Sequence, residues 1–120
     1  MSGRLYLPTT RAGLGRLVAT GELPEDELAP EGPVQAEGED EEAEYAALMT
    51  AADLSTALAA TRAEAGLRRV VLVAEPGHPA GPVRLSDVVA VHLDTEDRDE
   101  ADDPDDDLAW FAPEELPHLI

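Results

Sequence analysis

The sequence has no cysteine and no lysine, and its aromatic residues are one Trp, two Tyr and one Phe. Without thiols, disulfide frameworks, thiolate zinc sites and cysteine nucleophiles are all excluded. No apolar run approaches the length of a membrane span. The segment Met1–Arg11 also lacks the apolar centre of a secretion signal, so a cytoplasmic location and no membrane contact are expected. All eight basic residues are Arg, set against 27 acids for a formal charge of −19. Such a field repels nucleic acid and anionic lipid and attracts cationic partners or metal ions. An acidic surface carrying Arg instead of Lys also follows from a GC-rich genome or a salty cytoplasm, with no specific ligand at all.

A chain of 120 residues is one domain by length. Two parts are too polar to pack: residues 22–38, rich in Pro and Gly, read as loop, and residues 95–107 read as a flexible acidic linker. Roughly 80 residues remain for a core, a small but sufficient number. Ten carboxylates fall between Asp94 and Asp107, and the run ends at the Trp110-Phe111 pair. Aromatics at such a junction are expected to fasten the chain end to the folded body.

Arg4–Leu7 reads as a strand stopped by Pro8, and Thr9 or Thr10 as the cap of a helix with Leu14, Leu17 and Val18 on one face. Gly21 is a natural stop for it, and an edge strand is expected near Val34–Ala36. The acids Glu39–Glu44 suit the first turn of a long helix, periodic from Tyr45 to about Ala65. Its stripes Tyr45/Leu48/Met49/Ala52 and Ala47/Ala51/Leu54/Leu58 predict burial on two sides, and Gly66 closes it. Arg68–Ala74 is a central strand by its unbroken apolar run. Val83–Leu85 reads as a brief edge strand and Ser86-Asp87 as a turn. In the strand Val88–Asp94, Val89, Val91 and Leu93 share one face, and Val88, Ala90 and His92 the other. The tail Leu108–Ile120 carries one helical turn at Pro113–Leu116. This order predicts an α/β fold: two layers, a small mixed sheet with a strand-helix-helix-strand core, and an anchored C-terminal segment. The first strand and Val70–Ala74 would be parallel if adjacent, since a helical crossover joins them.

Little in the chain carries chemistry. Gly13-Leu14-Gly15 fails as a dinucleotide fingerprint, because Val18 stands where the third glycine belongs and both glycines fall inside the helical pattern. Asp103, Asp105, Asp107 and Glu114 occupy positions one, three, five and twelve of a calcium loop. Leu108 takes the position that needs glycine, and Pro104 and Pro113 stiffen the segment. These four remain the candidate metal ligands, suited more to loose divalent-ion binding than to a closed site. His92 and Asp94 could form a metal or acid–base pair, or simply a hydrogen-bonded histidine and carboxylate. His78 and His118 have no informative spacing. Ser2, Ser55 and Ser86 lack a nucleophile context, and a glycosidase carboxylate pair needs a rigid cleft that so small a core rarely supplies. Arg62, Arg68 and Arg69 form one basic patch, either paired with acids such as Glu64 and Glu39–Glu44 or open to an anion.

Five stretches carry a family resemblance: Arg4-Leu5-Tyr6-Leu7-Pro8, Glu41–Leu48, Arg68-Arg69-Val70-Val71-Leu72, Val89–Asp94 and Leu108–Pro117. In this order they resemble an actinobacterial family of small acidic proteins, domain of unknown function 6912, over about a third of the chain. The Trp-containing ending is the most specific element. The chain departs from the family in being shorter, with an acidic linker where a helix follows the His-containing strand. The resemblance implies a single α/β unit in a bacterial cytoplasm and implies no activity.

Taken together, the residues favour a non-enzymatic protein-interaction or regulatory module without a cofactor, binding a protein partner through Tyr45, Trp110 and Phe111, with Arg68 and Arg69 as further contacts. A divalent-cation-binding protein is the alternative, and a nucleic-acid mimic the third reading.

Overall fold

A computed structural model of the chain describes residues 4–75, 82–99 and 101–119. Ser2, Ile120 and the Pro/Gly connection around His78 lie outside the described residues. Val70–Ala74 (β4), buried at every position, is the middle of a five-stranded sheet. On one side it pairs with Leu5–Thr9 (β1), which pairs in turn with Val34–Gln35 (β3). On the other it pairs with Val88–Leu93 (β6), and β6 with Ala109–Phe111 (β7) at the far edge. Helices α1 (Arg11–Thr20) and α2 (Glu41–Thr61) and a ribbon of β2 (Glu22–Leu23) with β5 (Val83–Arg84) complete the element list with three short 3-10 turns.

The α/β class holds, but every neighbouring strand pair is antiparallel, so the sheet is not mixed. The expected parallel crossover exists with a different origin. It leaves from the two-residue strand β3, runs through α2 and enters β4, and β1 lies between those two parallel strands. A two-residue edge strand gives too weak a periodic signal to mark that origin. Pro8 does not stop β1 either. Its carbonyl accepts from the Ala29 N–H at 3.0 Å, so its polar edge faces a loop beyond the end of β3, where no N–H is needed.

Alternation along β4 feeds two cores. Val70, Leu72 and Ala74 face α1 and the C-terminal turn, packing with Leu7, Leu14, Leu17, Val91 and Leu116. Val71 and Val73 face α2, packing with Tyr6, Ala47, Ala51 and Ala52. A bulge in β6 corrects the faces read from strict alternation. Ala74 pairs with Val88 while Val73 pairs with Ala90, so Val89 is the extra residue. Val88 thereby joins Val91 and Leu93 in the first core, and Val89 is exposed. Helix α2 ends at Thr61, before Gly66, and buries one face built from both stripes, Ala47, Ala51, Ala52, Ser55, Leu58 and Ala59. Leu48, Met49 and Leu54 are half-buried and Tyr45 is exposed.

Helix α1 starts where expected: the Thr10 hydroxyl accepts from the Gly13 N–H, and Gly21 closes it with φ of 80°. Gly13 is there for space. A Cβ at this position would lie 2.2 Å from the Thr9 hydroxyl, which itself donates to the Glu27 carbonyl at 2.6 Å. Ser55, fully buried on α2, closes the β1–β4 ladder. Its hydroxyl donates to the Thr9 carbonyl at 2.6 Å and accepts from the Val70 N–H at 2.9 Å.

Two substitutions test this packing. Gly13→Ala removes glycine from a helix and by propensity alone would stabilise by about 1 kcal/mol; the clash reverses the sign, and the urea midpoint falls, whereas Gly15→Ala, facing open space, raises it. Ser55→Ala leaves two buried backbone groups unpaired and costs at least about 2 kcal/mol, read as a lower urea midpoint at constant slope.

Candidate functional site

One step beyond the β4–β6 ladder, Arg69 and Asp94 face each other. The Asp94 N–H donates to the Arg69 carbonyl at 3.1 Å, and the Arg69 N–H donates to Asp94 Oδ2 at 2.8 Å. The guanidinium closes the figure as a fork, Nε to Oδ2 and Nη2 to Oδ1, both at 2.8 Å. Arg69 is 1% exposed. Burial works against its charge, but the hydrogen bonds and charge of Asp94 prevail and raise its pKa. Bidentate geometry of this kind is the strongest form of an ion pair.

The acidic run folds around this fork. The remaining Arg69 Nη1 donates to the Pro104 carbonyl at 3.2 Å. Arg98, largely buried, sits beside Asp94 Oδ2 at 3.6 Å, pairs with Asp106 at 3.4 Å and donates to the Asp103 carbonyl at 2.7 Å. Its backbone N–H reaches the Gly66 carbonyl at 2.7 Å. Gly66 suits this approach twice over: its φ is 85°, and a Cβ would lie 2.5 Å from Asp97 Oδ1. Asp99, Asp102 and Asp103 accept from nearby backbone N–H groups, the local turns these side chains favour. A cavity of about 330 Å³ lies in the bend, lined among others by Asp94, Asp97, Arg98, Asp102 and Asp106.

From this loop the chain enters β7 along the edge of the sheet. Alternation places Phe111 against the first core and Leu108 against the second. Trp110 pairs with His92 in register and is 60% exposed. The expected aromatic anchor is therefore Phe111, assisted by the fully buried Leu116; strand alternation turns Trp110 to the other face of the sheet from Phe111, where at the edge strand it is left exposed. Tyr45, 49% exposed, donates its hydroxyl to Asp107 Oδ1 at 3.0 Å, which raises the phenol pKa. Burial lowers the His92 pKa, leaving the imidazole uncharged at neutral pH. The exposed indole stands three residues after Asp107, which holds the phenol; an aromatic face of this kind is able to hold a cation. Beyond β7 no described strand continues the sheet.

The calcium-loop register is not assembled. Asp103 caps its own turn, Asp107 holds Tyr45, and Glu114 sits on the exposed C-terminal 3-10 turn. Among the described residues no group of three or more His, Asp or Glu side chains could hold a metal ion. The three arginines do not make a patch, nor do they pair with Glu64 or Glu39–Glu44. Arg62 pairs with Glu27, Arg68 with Asp97 at 2.9 Å, and Arg69 with Asp94. Glu27 is also held by Arg16 at 3.1 Å. Burial alone would raise its carboxyl pKa, but the two guanidinium groups hold it below the usual range. Asp94 is thus a partner of Arg69, not of His92. The role of Arg98 was not visible in the sequence; its one available signal is its place as the sole cation within the acidic run.

Asp94→Asn keeps the shape of the fork but leaves a buried guanidinium uncompensated. A loss of about 3 to 5 kcal/mol is expected in urea unfolding. Replacing both partners with apolar residues, Arg69→Met with Asp94→Leu, recovers a large part of that loss if the charge imbalance is its cause.

The model of a family of unknown function, DUF6912, matches residues 3–120, extending the resemblance of the five stretches to nearly the whole chain. No curated protein and no solved structure matches the chain. The chain belongs to DUF6912.

Proposed function

We propose that this member of DUF6912 is a non-enzymatic binding module whose Trp110 surface receives a cationic segment of a protein partner. The observation that carries the reading is the exposure of Trp110, 60% on an edge strand, in a chain with so few aromatics. An indole left in water on a sheet edge is costly to hydrate and well suited to cover by a partner. The acids set the partner's sign. A net charge of −19 steers cationic surfaces inward and turns anionic ones away, and an Arg or Lys laid over the indole gains both the aromatic face and the nearby carboxylates. An extended segment would also find the outer edge of β7 beside that ring, and strand addition is a common way to recognise one.

The absence of a nucleophile–base pair in the sequence supports a non-enzymatic role, as does a His92 held uncharged and half-buried between strands. Of the four carboxylates that suggested metal binding, Asp103 accepts from its own turn and Asp107 from Tyr45, and elsewhere in the acidic run Asp94, Asp97 and Asp106 are taken up by Arg69, Arg68 and Arg98, so no observation favours metal binding or phosphate mimicry.

An extended peptide alternating Arg with aliphatic residues is the test ligand, followed by calorimetry. Binding is expected at low salt, weakening steeply as salt rises. Trp110→Ala is expected to weaken it by roughly thirtyfold (about 2 kcal/mol) with the unfolding midpoint little changed. Equal affinity for a Glu-containing analogue, or no effect of Trp110→Ala, would overturn the reading.

A further inference from the structure

On the opposite face of the sheet from Trp110, a small cleft of about 160 Å³ opens between the start of α1, the start of β4 and the C-terminal turn. Its floor is apolar, built from Leu14, Val70 and Leu119, and its rim carries Arg11, Arg68 and His118. That composition runs against the rest of the molecule. In a chain with 27 acids and 8 arginines, three basic side chains meet at one opening. Among the described residues the only carboxylate lining it is Asp94, and both its oxygens are occupied by Arg69.

Arg11 is the most informative of the three. It is the first residue of α1, where the helix dipole disfavours a cation, and the first turn of this helix holds no acid. The first turn of α2, by contrast, holds Glu41, Glu42 and Glu44. Among the described residues Arg4, Arg16, Arg62, Arg68, Arg69 and Arg98 all have carboxylate partners, while Arg11 and Arg84 form neither an ion pair nor a side-chain hydrogen bond, and of these two only Arg11 lines a cleft with other basic side chains. Arg68 engages Asp97 through Nε, which leaves its terminal nitrogens able to donate to a second anion. A local arrangement that violates both helix electrostatics and the charge balance of the chain, at the mouth of a cleft, points to a ligand that restores the balance.

We propose that this cleft binds a small organic carboxylate, its head held by Arg11 and Arg68 with His118 at the rim, its short apolar body lying on Leu14, Val70 and Leu119. Guanidinium forks match a carboxylate in the plane of two parallel hydrogen bonds. The apolar floor selects an acid with a hydrocarbon body over a fully polar anion such as inorganic phosphate, because burying that floor against a polar ligand gains nothing. The cleft volume limits the body to a few carbons. The site is independent of the Trp110 surface, and neither proposal needs the other.

The experiment is an amide chemical-shift titration of the full chain with sodium butyrate, and in parallel with 1-butanol and with inorganic phosphate at matched ionic strength. Butyrate is expected to produce saturable shifts confined to the amides of Leu14, Val70, Leu93 and Leu119. Arg11→Gln, an exposed substitution, is expected to weaken binding at least tenfold with shifts elsewhere unchanged, and His118→Gln by a smaller factor. Butanol matching butyrate would overturn the role of the arginines, and phosphate binding as tightly as butyrate would overturn the apolar body. Absence of saturable shifts, or butyrate binding undiminished in Arg11→Gln, would overturn the site itself.

Discussion

The fork between Arg69 and Asp94 is the constraint on which the rest of the acidic half depends. It seals the open end of the β4–β6 pair, where two backbone hydrogen bonds would otherwise give way to solvent, and its third donor takes hold of Pro104. Arg98 repeats the device one layer out, between Asp94 and Asp106. The acidic run is therefore folded by cations supplied from the same chain. Arginine suits this task where lysine would not: a planar group with five donors can hold a carboxylate and a carbonyl together, and it stays charged when buried. The absence of lysine fits a structure in which at least six arginines spend their charge internally.

A second consequence concerns where charge ends up. Neutralising Asp94, Asp97 and Asp106 close to the body leaves Glu96 and Asp105 without an ion-pair partner among the described residues. An ion pair buried this deeply is poorly screened by salt, whereas the outer carboxylates are fully subject to it. The Arg69–Asp94 fork and the surface field thus respond to ionic strength differently, whereas the Asp97 and Asp106 pairs, with exposed carboxylates, are screened like the surface.

The parts of the fold legible in the sequence were those with a strong local signal. Val70–Val73 declares a central strand by its unbroken apolar run, Thr10 and Gly21 bracket α1 by their capping chemistry, and Glu41–Glu44 marks the start of α2. Direction and face were not legible. Strand direction turned on β3, two residues long, and facing in β6 turned on one bulged residue, Val89. Trp110 was visible as important by its rarity, yet its orientation depends on the register of β7 against β6, which composition cannot supply. The Arg11 cleft was the least legible of all. Its rim comes from residues 11, 68 and 118, brought together only by the complete fold, and His118 alone has no informative spacing. The calcium-loop register was legible for the opposite reason, because a dense run of Asp satisfies many spacings at once.

The placement of β1 carries a consequence for how the molecule comes into being. Residues 5–9 leave the ribosome long before the partner that covers their full length, residues 70–74, and their other neighbour spans only two residues. Until that late segment emerges, the early strand has one short companion and a long unpaired edge. Synthesis must therefore reach residue 74 before the β1–β4 pair can close, and contacts so distant along the chain make assembly slower than the modest size suggests. The nascent first half, with its apolar β1 and α1, is the stage at which a chaperone would find most to hold.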